Sequence, residues 1–139
     1  YQGEIILDFY KTICFATTLL FIFLSLQLLF SPVAFASGMG LEPSVATSVL
    51  LRRAAMFMIG LAVLTFCARN LQDLRARRCV CLSAAVTLLG LACMGTYEHF
   101  MGTVNTSIFI AIGIESILGL SFMRAYSRYG IASAGKQYD

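Results

Sequence analysis

Glu115 is the only charged residue in the apolar run Ile108–Met123. A charge at the centre of a membrane helix carries an insertion cost of roughly 2.5–3.5 kcal/mol, so this carboxylate needs a partner or a proton. Three arrangements meet that need: an ion pair that fixes helix register, a proton or ion site, or a neutral carboxyl hydrogen-bonded to Ser or Thr. At i−4 and i+4 stand Ala111 and Gly119, so Glu115 shares the small-residue face of its helix, which should point into a bundle. Arg53 is the partner the sequence offers. Counted from the outer ends of their segments, Glu115 lies about 10 Å deep and Arg53 about 6 Å, a gap that an arginine side chain spans. Arg53 shares a helix face with Phe57 and Gly60, and Arg52 with Met56 and Ile59. The expectation is therefore a buried intramembrane pair of Glu115 with Arg53, with Arg52 snorkelling to the outer headgroups.

Other chemistry is sparse. His99 is the only histidine and follows Tyr97 and Glu98. These positions predict interfacial hydrogen bonding; alone, His99 could offer one axial contact to a haem or pigment in a neighbouring subunit, but not bis-His ligation. Glu98, His99 and Arg52 form the interfacial polar set. Cys14, Cys67, Cys79, Cys81 and Cys93 include no C-x-x-C spacing, and they read as small polarizable core residues rather than as a redox or metal set. No G-x-S-x-G, P-loop or paired intramembrane aspartate is present. Ser116 and Ser121 have no base to activate them. Neither an enzyme, a metal site nor a cofactor is expected.

These groups must be positioned by membrane-spanning helices. The 139 residues are 59% hydrophobic and 12% charged, with mean hydropathy +0.83, and soluble domains carry about twice that charge. Thr12–Phe30, Val49–Ala68, Cys79–Tyr97 and Thr106–Met123 are each long enough to cross ~30 Å of hydrocarbon. The predicted class is all-α: an integral membrane bundle of four transmembrane helices, residues 1–139 forming a single membrane domain. Lys11, Arg69, Arg75, Arg77, Arg78, Arg124, Arg128 and Lys136 fall at one end of these spans, and only Arg52 and Arg53 at the other. By the positive-inside rule both termini and the central loop are cytoplasmic. The net charge of +3 thus reports orientation, and no nucleic-acid partner is expected.

Residues 1–11 suit an interfacial turn or a short amphipathic helix lying on the cytoplasmic surface. Lys11, the apolar run and Ala34-Phe35-Ala36 before Ser37 imitate a signal peptide, but the run exceeds a typical h-region, so the first helix is expected to be retained. The absent initiator Met suggests residues upstream of Tyr1. Leu and Phe dominate the first span, the composition of a lipid-facing helix. The loop 31–48, with Phe35, Met39 and Leu41 among its breakers, should lie on the bundle mouth. Glu42-Pro43-Ser44 predicts the opening of the second span with Pro43 in its first turn. The third span carries Ser83, Ala84, Ala85, Gly90, Ala92 and Gly95, and the fourth Ala111, Gly113, Ser116, Gly119 and Ser121. Small residues allow close backbone approach in lipid, which predicts central third and fourth helices and a peripheral first. Tyr126, Tyr129 and Tyr138 suit a headgroup boundary. No internal repeat supports an inverted-repeat transporter.

Pro32 closing the first helix, Leu41-Glu42-Pro43 in the external loop, Arg53 opening the second span, the Ala68-Arg69-Asn70 exit and Glu115 in the last span resemble the small four-helix bacterial membrane proteins broadly called DoxX-like. The likeness covers about Phe9 to Ala125. It implies fold, topology, a bacterial inner membrane and an Arg and a Glu inside the bundle, matching positions 53 and 115, but no activity. The leading functional expectation is a non-enzymatic accessory or structural subunit of a larger membrane complex. It would dock on other subunits, or on further copies of itself, through the first helix or the 31–48 loop, with membrane lipids around it. The alternative is a small proton-coupled carrier or channel centred on Glu115.

Overall fold

A computed structural model describes the backbone of residues 2–135 and the side chains of residues 7–129. Lys136 and Tyr138 lie outside the described residues, as do the side chains of Glu4, Ile5 and Ile6. The described backbone is helical: α1 (Gln2–Phe30), α2 (Pro32–Gly38), α3 (Val45–Ala68), α4 (Leu74–Phe100) and α5 (Ile108–Gly135). Four of these contain stretches long and apolar enough to cross a membrane, Leu7–Phe30, Val45–Ala68, Leu74–Phe100 and Ile108–Tyr129.

Local chemistry sets the helix ends. α1 is continuous from Gln2, so residues 2–11 extend the first span and do not form a separate surface helix. Pro32 opens α2 at its first turn, where a missing N–H leaves no bond unmade. α3 is capped by Ser44, whose hydroxyl accepts from the Thr47 N–H at 3.0 Å. The expected opening at Pro43 therefore shifts inward, and Pro43 stays outside the helix. Asp73 caps α4 through the Arg75 N–H at 3.0 Å.

The bundle is two antiparallel pairs, α1 with α3 and α4 with α5, joined along α1 and α5. Glycine allows the α4–α5 approach: a Cβ on Gly119 would stand 2.8 Å from Leu89 Cγ, and one on Gly95 would stand 3.2 Å from Ile112 Cγ1. Hydroxyls link the α1–α3 pair, where the Thr18 and Thr65 side chains are 2.8 Å apart. Each also back-bonds within its own helix, Thr18 to the Cys14 carbonyl and Thr65 to the Leu61 carbonyl.

The expectation of a peripheral first helix is corrected. Of the α1 span 39% is buried, against 17% for α3 and 22% for α4 and for α5. Its inward stripe is Tyr10, Cys14, Phe21, Ser25 and Leu28, all buried with Thr17 and Thr18. These recur at three- and four-residue steps, the spacing of a helix–helix seam. The Leu/Phe character of α1 belongs to its other face. Cys14 and Cys81 are core residues as expected, whereas Cys67, Cys79 and Cys93 are exposed.

Candidate functional site

The two ends of the bundle are built differently. At the end where the chain enters and leaves, large side chains fill the space between the four helices. Tyr10 is fully buried, its hydroxyl donates to the Ala68 carbonyl at 3.0 Å, and its ring meets Tyr129 edge-on at 5.9 Å. The Arg77 guanidinium lies 5.5 Å from the Tyr10 ring centroid and 5.8 Å from that of Tyr129, and its Nε donates to the Leu71 carbonyl. Arg78 covers Tyr126 at 4.9 Å. These cations brace the α3–α4 turn and the end of α5.

At the other end α2 turns back over the mouth and is tied to the α4–α5 loop. The Gly38 carbonyl accepts from Asn105 Nδ2 at 2.8 Å and from the Ser107 hydroxyl at 3.0 Å, and the Asn105 N–H donates to Met39 O at 3.0 Å. Gly40 adopts a φ of 81°, in the left-handed region that glycine tolerates, and brings the chain against Asn105. Beneath this tie is a cavity of about 650 Å³ bounded by α1, α2 and α5. Its walls are apolar, with Leu20, Leu24 and Phe35 among them, and its polar groups are Gln27, Ser31, Ser107 and Glu115. Phe23 and Ile110 line it and are 58% and 72% exposed, so it opens sideways between α1 and α5.

Glu115 is half-buried and faces this cavity. Among the described residues no hydrogen bond or ion pair engages its carboxylate, and the Gln27 amide also has no protein partner. The expected Glu115–Arg53 pair is not formed. α1 lies between the helices that carry the two residues, and no Cα of α3 approaches α5 within 8 Å. Arg53 is exposed. Its position follows from the inward face of α3, which is Ala55, Ala62, Thr65 and Ala68; Arg53 stands nine residues before Ala62, about 180° away around the helix. Phe57, on the same face as Arg53, is 75% exposed. Arg52 is exposed too, so both arginines point out of the bundle.

His99 and Glu98 lie together at the α4–α5 turn, and no contact joins Arg52 to them among the described residues. His99 Nδ1 lies 3.3 Å from the Val104 carbonyl, and the imidazole packs edge-on against Phe109 at 4.6 Å. Glu98 is half-buried and its carbonyl accepts from the Thr103 N–H. These contacts shape the α4–α5 turn. Sequence reasoning missed Gln27, which reads as one polar residue in a Leu/Phe-rich helix. Its signal was its spacing: Gln27 follows Leu20 and Leu24 by seven and three residues, on the face that lines the cavity.

The arrangement offers a carboxylate, an amide and the hydroxyls of Ser31 and Ser107 within an apolar, side-opening chamber. Comparison of the chain with protein-family models, with curated proteins and with solved structures found no match.

Proposed function

We propose that this is a non-enzymatic integral membrane protein that holds an amphipathic molecule in the cavity between α1, α2 and α5. The observation that carries this reading is a carboxylate with no partner among the described residues, facing an apolar chamber of about 650 Å³. Ligand cavities generally span about 300–1,000 Å³, with mainly apolar walls and a few polar groups that set orientation. Glu115 and Gln27 would receive a cationic or hydrogen-bond-donating head, and Phe23, Leu24 and Phe35 an apolar body. The sideways opening favours a ligand that arrives through the bilayer. With the arginine-rich end in the cytoplasm of a bacterial inner membrane, the chamber opens into the outer leaflet. A proton-coupled carrier or channel centred on Glu115 would be built on this same chamber.

The test is mass spectrometry of small molecules extracted from the protein purified in mild detergent. A compound enriched with the natural protein, and lost from both Glu115→Gln and the cavity-filling Ala111→Phe, is the expected result. An identical extract from all three proteins would overturn the proposal.

A second reading, an accessory or structural subunit of a larger assembly or of a homo-oligomer, is favoured by α3. Only 17% of its span is buried, and Leu50 and Phe57 project outward at 66% and 75% exposure. The docking face would then be α3, because α1 is the most enclosed of the four spans. A mass of 15.2 kDa for the intact particle in mild detergent, with no accompanying protein, would remove this reading.

A further inference from the structure

We propose that a second groove, between the N-terminal third of α1 and the end of α3, binds the phosphate headgroup of an anionic phospholipid. This groove has a volume of about 410 Å³ and is lined by Lys11, Thr12 and Phe15 of α1 with Arg69 and Asn70 beyond α3. It lies at the opposite end of the bundle from the chamber beside Glu115 and does not depend on that chamber's role.

Depth is the first argument. The spans Leu7–Phe30 and Val45–Ala68 each rise about 36 Å at 1.5 Å per residue, about 6 Å more than the hydrocarbon thickness. Lys11 stands one turn inside the start of the first and Arg69 immediately follows the second, in antiparallel helices tied there by Tyr10 and Ala68. Both cations therefore sit at the hydrocarbon–headgroup boundary of one leaflet, where lipid phosphates lie.

Vacant donors are the second argument. Among the described residues the Lys11 ammonium and the Asn70 amide engage no hydrogen bond or ion pair. The Arg69 guanidinium is held by stacking on the Phe66 ring at 3.8 Å, which occupies its face and leaves its edge N–H groups for an oxyanion. The Thr12 hydroxyl is already committed to the Asp8 carbonyl at 2.8 Å. Behind the groove the Tyr10 hydroxyl pins α1 to Ala68, the residue before Arg69, so the spacing of the two cations is set by a buried contact. Two other arginines at this end differ: Arg77 and Arg78 are engaged with Tyr10, Tyr129 and Tyr126.

Exposed apolar residues beside the groove favour a lipid over a free anion. Phe15 forms part of the groove and is 47% exposed, and Leu19, one turn further into the membrane, is 51% exposed. These two residues form an apolar track running from the cations toward the bilayer centre, where an acyl chain would follow a headgroup bound above. Basic pockets between helices at the membrane surface recognise anionic headgroups in this way.

Native mass spectrometry of the intact protein, titrated with phosphatidylglycerol or phosphatidylcholine, tests the assignment. One phosphatidylglycerol should bind in preference to phosphatidylcholine, and Lys11→Gln with Arg69→Gln should weaken it about thirtyfold, the loss expected for two juxtamembrane cations. Arg124→Gln with Arg128→Gln, which removes two exposed cations of the same end, should leave binding unchanged, and Lys11→Arg should retain it. Equal weakening by both double variants would reduce the effect to general charge and overturn the groove. Displacement of the bound lipid by inorganic phosphate would assign the cations to a free anion and overturn it equally.

Discussion

The two ends of this bundle solve the same packing problem in opposite ways. Where α1 begins and α5 ends, Tyr10, Cys14, Cys81, Phe122 and Tyr129 close the centre among four helices, and arginines cover the aromatic rings from outside. At the α2 end only α1, α2 and α5 surround the centre, and they leave a chamber with Glu115 in its wall. At the filled end Tyr10 bonds across to Ala68 and arginines cover the rings, and the buried Tyr129 hydroxyl alone of the tyrosines there lacks a hydrogen-bond partner among the described residues. At the hollow end, the Glu115 carboxylate and the Gln27 amide engage no partner among the described residues. A buried polar residue in a membrane helix is thus a structural brace or a binding group according to whether the protein itself meets its hydrogen-bonding capacity.

That contrast predicts a graded set of mutational effects. The largest belongs to the filled end: Tyr10→Ala removes a fully buried ring and its bond to Ala68 and should cost about 3–5 kcal/mol, as for other buried aromatics, measured by reversible unfolding in detergent. Two positions on one face of α5 then mark the boundary between filled and hollow. Gly119→Leu meets Leu89 at once and should destabilise by about 1–3 kcal/mol. Ala111→Leu, two turns away in the cavity wall, should change stability by less than about 1 kcal/mol. Equal losses at 111 and 119 would mean that the chamber is closed. The smallest effect is the coupling of Arg53 with Glu115. Their alanine variants should add within about 0.3–0.5 kcal/mol, as unconnected sites do, whereas a paired arrangement would give a clear interaction energy.

Much of the architecture is readable from composition. Four uninterrupted apolar runs can only be satisfied as helices in lipid, and the glycines at 95 and 119 mark the close α4–α5 pair. The inward direction of Glu115 is also legible, because Ala111 and Gly119 share its face. The partnering of helices is harder to read. Hydropathy alone does not tell which spans are neighbours, and here α1 enters between α3 and α5 and separates Arg53 from Glu115. The role of α1 was hidden for a related reason. Cys14, Thr18 and Ser25 form an inward seam, but abundant Leu and Phe on the other faces dominate the average, and the seam shows only when spacing is followed residue by residue. A cavity is the least legible feature of all. It depends on where side chains fail to meet, and the seven-residue helix α2 that roofs it comes from a stretch too short and mixed for periodicity to reveal.

On the proposed reading the Glu115 carboxylate pairs with no described residue and is reachable from within the membrane. Labelling with the lipid-soluble reagent dicyclohexylcarbodiimide, followed by intact-mass and peptide analysis, tests it most directly. The natural protein should gain one adduct on Glu115, Glu115→Gln should lose it, and Arg53→Ala should be labelled at the same rate as the natural protein. A Glu115 that stays unmodified until Arg53 is removed would mean that the two side chains protect each other and that the carboxylate is not open to a ligand.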